Sequence, residues 1–263
     1  MRFVDWLDTL PVVGIFVVFA IVASIAYELG YRLGRWWQAR TPEEVEGPTS
    51  MIVGSLLGLM AFLLAISMGM ASDRFDARRG LVLTEANAIG TTYLRAGYLP
   101  DPASSTSREL LRQYVPQRIL TSPDPADVQA RIGRSIEIQT DLWAIAEDQA
   151  RSSPDSEMVA LYIETLNEMI DVHETRVTAG VYARVPETVL VLLFVGSALT
   201  MAMVGYGAGL TKRRSPLTAL VLIVVLGAVV TLVVDLDRPR DGFLTVGQQP
   251  LMDLEKQIGP PSQ

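Results

Sequence analysis

Apolar and charged positions along this chain are sorted into long blocks. Four runs of roughly 20 residues carry almost no charge: Pro11 to Leu29, Met51 to Ala71, Glu187 to Leu210 and Leu217 to Leu236, with Glu28, Glu187 and Asp235 each at the edge of its run. An ion at the centre of a bilayer costs about 2.5–3.5 kcal/mol, so uncharged runs of this length read as membrane spans. The first is expected as a span rather than a cleaved secretory signal, because its apolar stretch exceeds an ordinary signal core and MRFVDWLD in front of it carries two Asp.

Between the second and third spans lie 115 mostly polar residues, Ser72 to Pro186. Their breakers divide them into helical lengths near 72–99, 107–120, 125–151 and 155–185. Thr106 with Glu109 forms a capping box ahead of LLRQYV, and Asp124-Pro125 and Ser153-Pro154 place a capping side chain before a first-turn proline. No stretch alternates with the period of a strand. The pattern therefore predicts an all-α protein: a membrane pair over 1–71, a helical extramembrane domain over 72–186 inserted between the second and third spans, a second membrane pair over 187–236 and a tail over 237–263.

The second span empties into charge without a loop. ASDRFDARRGLVLTEANAIG follows Met70 directly, and Leu81, Glu85, Ala88, Thr92 and Leu99 continue along roughly one helical face. Backbone polar groups in hydrocarbon need internal partners, so a helix that leaves the membrane without stopping avoids loose carbonyls at the boundary. The seam Ile163, Leu166, Ile170, His173, Val177 and Gly180 predicts a similar rod running straight into the third span.

Composition narrows the chemistry. The 263 residues are 49% hydrophobic, with no Cys, one His and a net charge of -7. That balance argues against nucleic acid as a partner, and the missing Cys excludes disulfides and thiolate metal sites. His173 is the one side chain that ordinarily titrates near neutrality and is a candidate pH-sensitive group, although a lone His on an apolar seam is ordinarily just packed. Flanked by Asp171 and Glu174, it makes neither a zinc site nor a hydrolytic triad. Glu43 with Glu44, and Glu164 with Glu168, read as solvated faces. No catalytic constellation, metal site or cofactor is expected.

Cationic residues do not fix the orientation. Arg32, Arg35, Arg40, Lys212, Arg213 and Arg214 lie in the short loops, and Arg2, Arg74, Arg78, Arg79, Arg176, Arg184, Arg238 and Arg240 on the opposite side. Short loops and the first span usually dominate, which weakly favours the central domain outside the cytoplasm. Parity places the end of the second span and the end of the fourth on one side. The expected charged rim joins Arg74, Arg78, Arg79 and Glu85 to Asp235, Asp237, Arg238, Arg240 and Asp241, with Asp235 or Asp237 pairing Arg78 or Arg79.

Two glycine patterns stand out. MVGYG, Met203 to Gly207, matches four letters of the potassium-filter sequence, but it closes an uninterrupted apolar run, so Gly205, Gly207 and Gly209 are expected to end the span or to permit close packing. GLTKRRS lacks the spacing of a phosphate loop. Gly54, Gly58, Ala61, Ala65 and Gly69 form a small-residue face on the second span, a candidate helix-packing surface or channel lining.

RFDARRGLVLTEANAIGTTYLRAGYLP and LDRPRDGFLTVGQQPLMDL resemble the bestrophin-like domain family of bacterial multi-pass membrane proteins, chiefly through Glu85-Ala86-Asn87 and through Leu236-Asp237-Arg238-Pro239 with Gly242. The likeness runs from about Gly47 to Leu254. It implies two spans, a helical insert and two further spans in a bacterial inner membrane, and, by way of the bestrophins, a homo-oligomeric channel. It also implies a cytoplasmic insert, against the charge-based orientation. Arg78, Arg79 and Arg95 would concentrate small anions near a mouth built from the second span. The expected partners are thus the lipid bilayer, further copies of the chain and small anions. The alternative reading is a membrane-anchored sensor or scaffold whose helical domain binds a partner and which conducts nothing. An enzyme is not expected.

Overall fold

The computed structural model describes residues 6–7, 9–41, 46–120, 122, 124–181, 184–212, 214–238 and 242–260. Glu43, Glu44, Arg213, Arg240 and Asp241 lie outside them. Eight helices organise the described residues: α1 (Val12–Gln38), α2 (Glu46–Arg95, extended by a 3-10 turn at Ala96–Tyr98), α3 (Ala103–Arg118), α4 (Pro125–Ser152), α5 (Glu157–Val181), α6 (Glu187–Leu210), α7 (Pro216–Asp237) and α8 (Gln249–Ile258). There is no strand among the described residues. Four of the helices, α1, α2, α6 and α7, are long and apolar enough to cross a membrane.

The helix starts follow local chemistry, not always where expected. The Asp124 carboxylate accepts the Ala126 amide at 2.9 Å with Pro125 in the first turn, as predicted. The box at Thr106 does not form. α3 begins earlier, after Pro102, and the Asp101 carboxylate accepts the Ser105 amide at 3.3 Å. Ser153-Pro154 likewise gives way to Ser156, whose hydroxyl accepts the Val159 amide at 3.3 Å at the head of α5. In each case a competing oxygen close by serves the free amides of the first turn.

Of the two rods expected to continue past the membrane boundary, one is present. α2 is unbroken over 50 residues, about 75 Å of helix at 1.5 Å per residue. The other is not: α5 ends at Val181, Arg184 to Pro186 are non-helical, and α6 starts afresh at Glu187. Pro186 carries no amide hydrogen and clashes with the preceding turn, so it heads a helix and cannot continue one.

The chain divides into two compact units, one of residues 1–75 and 184–244 and the other of 76–183 and 245–263. In the first, α1 and α6 cross at glycines on both helices. A Cβ at Gly30 would lie 1.9 Å from the Ala202 carbonyl oxygen, and one at Gly205 2.0 Å from that of Tyr27. Gly34 and Gly209 meet Tyr206 and Tyr31 in the same way, so hydrogen is the largest substituent these positions admit. Van der Waals contact between backbones drives association where lipid is as apolar as leucine. Phe19 and Phe194 add an edge-to-face pair at 5.8 Å. MVGYG therefore lies inside a continuous helix, with Gly205 in the crossing.

The second unit packs the later part of α2, α3, α4, α5 and α8 around Ile89, Leu111, Tyr114, Ile138, Leu166 and Leu251. The buried line of α5 is Val159, Tyr162, Leu166, Met169 and His173, with Ile163 and Ile170 flanking it.

Candidate functional site

α2 has two faces. Met60, Leu64, Ser67, Ala71, Arg78, Val82, Glu85, Ile89 and Thr92 recur at steps of three, four and seven and are all buried. Gly54, Gly58, Ala61, Ala65 and Gly69 are all exposed, and a Cβ at any of the three glycines would meet nothing within 4 Å. Along the open side Leu59, Phe62 and Ile66 are about half exposed, followed by Asp73, Asp76, Gly80, Leu83 and Asn87, exposed as well. Among the described residues, nothing packs against the three glycines of the small-residue face. In-chain glycine packing belongs to Gly30 and Gly34 with Gly205 and Gly209; Met60 meets Gly196 from the other side of α2.

The charged residues separate into distinct roles. Arg78 is buried and Arg79 exposed. Arg95 is turned toward α5, donating to the Leu161 carbonyl at 2.8 Å and to Glu164 at 3.2 Å. Glu85 is shut off from solvent: Arg118 Nε donates to its Oε1 at 2.6 Å, and Arg176 Nη1 donates to Oε2 and to the Arg118 carbonyl oxygen. Gln248 closes this cluster, accepting from the Leu120 amide at 2.8 Å and donating to the Leu120 carbonyl at 3.0 Å. One buried carboxylate opposite two guanidinium groups compensates the desolvation of all three only while the hydrogen bonds are complete.

Beside it, Gln139 Nε2 donates to the Tyr114 hydroxyl at 2.9 Å, and that hydroxyl donates to His173 Nδ1, 3.1 Å away, in the tautomer protonated at Nε2. Burial pushes the Tyr114 phenol above its ordinary range. Burial, helped by the Arg118 charge, pushes His173 down to about 4. Its titration is thus moved away from neutrality, toward the acid side.

At the end of α7 the motif residues act as clamps. The Asp235 carboxylate accepts the Phe243 amide at 3.0 Å and the Leu244 amide at 3.2 Å. Asp237 accepts the Val185 amide at 2.7 Å, just before α6, and Arg238 reaches the Leu7 carbonyl and, at 2.8 Å, that of Leu10. A Cβ on Gly242 would fall 2.3 Å from Asp235 Oδ1, so a larger residue there has to displace the Asp235 carboxylate. Asp235 and Asp237 thus each hold backbone amides beside the end of α7.

Sequence reasoning singled out Glu85 but not Arg118, Arg176, Tyr114 or Gln139, and it missed Gly30 and Gly34. A signal existed for some. Gly30-x-x-x-Gly34 matches the spacing of Gly205-x-x-x-Gly209, and Arg176 lies three residues beyond His173 on the apolar seam. Asn87 is exposed on α2, while its motif neighbour Ala86 is buried. Among the described residues no group of three or more His, Cys, Asp or Glu is placed to hold a metal ion.

An all-helical chain with four apolar spans, a glycine-built crossing and carboxylate clamps at the end of the last span is a multi-pass membrane protein. The bestrophin-like domain is matched over residues 16–251, and the chain belongs to that family. It shares its fold with crystal structures of a bacterial bestrophin homologue from Klebsiella pneumoniae. One has a TM-score of 0.62 at 14% identity, covering 94% of this chain and 95% of the other. Two point variants of that homologue give 0.65 at 15% identity, with 94% and 97% covered, and 0.61 at 16%, with 94% and 96% covered. No curated protein is detectably similar in sequence.

Proposed function

We propose that the protein is a homo-oligomeric ion channel of the bacterial inner membrane, its pore lined by the open face of α2. The observation that carries this reading is the exposed stripe Gly54, Gly58, Ala61, Ala65 and Gly69 on a helix whose opposite face is buried. Four spans have little room for a sealed aqueous path, so conduction requires several copies around an axis, and small residues let their backbones approach. Phe62 and Ile66, one turn apart on that side, are suited to an apolar constriction that gates by dewetting. The unit of residues 76–183 and 245–263 then serves as the extramembrane domain.

The charges next along α2 bear on the ion. Asp73 and Asp76 are exposed, whereas of the three arginines expected at the mouth Arg79 is exposed, Arg78 is buried and Arg95 is engaged with Leu161 and Glu164, which leaves two exposed carboxylates against one exposed guanidinium. That balance favours cations over the anions expected from the arginines.

Purified protein in mild detergent should have the mass of a closed oligomer. Reconstituted in liposomes, it should pass potassium faster than chloride, and Asp76→Lys should shift the ratio toward chloride. A strict monomer, or silence with both ions, would favour the membrane-anchored scaffold.

A further inference from the structure

A cavity of about 540 Å³ opens between the start of α1 and the end of α7. Phe16 of α1, Ala228 and Leu232 of α7, and Phe243 and Leu244 from the segment after α7 line it. Two polar side chains share the lining. Asp235 is already committed to the Phe243 and Leu244 amides. The other, Thr231, is buried, and its hydroxyl has no hydrogen-bond partner among the described residues. Ser67 and Thr200 in this unit serve themselves by donating one turn back, to Leu63 at 2.7 Å and Gly196 at 2.8 Å, whereas Ser197 of α6 is buried without a partner among the described residues, as Thr231 is, but lies outside the cavity lining. A buried hydroxyl left without such a bond is costly, and an acceptor placed in the cavity removes that cost.

The surroundings indicate what supplies the acceptor. α1 and α7 are both apolar enough to span a membrane, Val13 in the lining is exposed, and Val17 on α1 and Val224 and Val225 on α7 are exposed as well. Acyl chains are the medium such faces meet. Thr231 lies one helical turn, about 6 Å, inside Asp235, the charge at which the apolar run ends. At that depth headgroups give way to hydrocarbon, and the ester carbonyls of a glycerolipid stand there. We propose that this cavity is a phospholipid site, in which an acyl chain lies against Phe16, Ala228 and Leu232 and its ester carbonyl accepts a hydrogen bond from Thr231. The site is independent of conduction.

The full chain, reconstituted with a phosphatidylethanolamine bearing a diazirine in its acyl chain, tests this by mapping the crosslinks by mass spectrometry. Labelling should concentrate on Phe16 and Leu232 over Ile21 and Ile25, which are exposed on α1 outside the cavity lining. Ala228→Phe, which fills the space, should reduce Phe16 labelling to the level at Ile25. Thr231→Val keeps the shape without the hydroxyl and should weaken occupancy, in competition with unlabelled lipid, by about five- to tenfold, the worth of one hydrogen bond. Equal labelling at Phe16 and Ile25 in the unaltered protein would mean annular lipid only and would overturn the site. Unchanged occupancy in Thr231→Val would overturn the ester contact, and that variant decides the question even where Ala228→Phe does not fold.

Discussion

Glu85 Oε1 stands 2.6 Å from Arg118 Nε, with both side chains nearly sealed from solvent, and this ion pair fixes α2 to α3. Arg176 of α5 completes it from the other carboxylate oxygen. A carboxylate read from sequence as part of a charged rim is the centre of a buried cluster.

Replacing Glu85 by Gln should therefore be severe, because two guanidinium groups would lose their counter-charge in a dry site. A loss of about 3–5 kcal/mol is expected, read from denaturant or thermal unfolding in detergent. Glu137→Gln is the control. Its pair with Arg134 is exposed on both sides, with 66% and 47% of the side chains accessible, and its loss should be close to neutral.

Glycines on different helices should respond differently. Gly30→Val or Gly205→Val forces carbons into a backbone less than about 3 Å away and should abolish folded monomer units, seen as lost yield and aggregation in size-exclusion chromatography. Gly54→Val and Gly58→Val add carbon to open space. They should leave the unfolding temperature nearly unchanged and alter only the oligomer mass; an equal loss of fold would contradict an open face.

The turn after α7 offers a third test. Gly242→Ala drives a methyl into Asp235, and Asp235→Ala leaves the Phe243 and Leu244 amides without their acceptor. Each is expected to cost about 1–3 kcal/mol in thermal unfolding, and the double variant less than the sum, since both break one contact.

The pH dependence follows from His173. Unfolded, it titrates near 6.5; folded, near 4, because burial and Arg118 disfavour the cation in a site also faced by Glu85, Arg176 and Tyr114. Between those values the unfolded chain binds a proton that the native one does not. Stability present in full above about pH 6.5 therefore falls as the pH drops toward 4, by an amount on the order of 3 kcal/mol. His173→Gln should flatten the unfolding profile across that window.

Much of the fold was legible because membrane physics writes in long blocks: an apolar run either suits hydrocarbon or does not, and all four runs are helices. The unbroken α2 was legible for the same reason, having no proline between Met51 and Leu99. The break before α6 was equally present in Pro186 but was overridden by the apolar seam. The open face of α2 was visible as a stripe, yet a stripe of small residues looks the same whether it packs within a chain, packs between chains or faces water. Arg118 and Arg176 were invisible as partners of Glu85, since they lie 33 and 91 residues away and nothing local marks either as buried.

The sequence by itself determined what is local: which segments tolerate lipid, where most helices start, and that α2 leaves the apolar block without a stop, because hydropathy, capping and proline act over a few residues. Tertiary structure alone decided which glycines touch, which charges are hidden and which face of α2 stays open. Those outcomes depend on which distant helix supplies the neighbouring atoms, and a side chain's chemistry is set by those atoms as much as by its own.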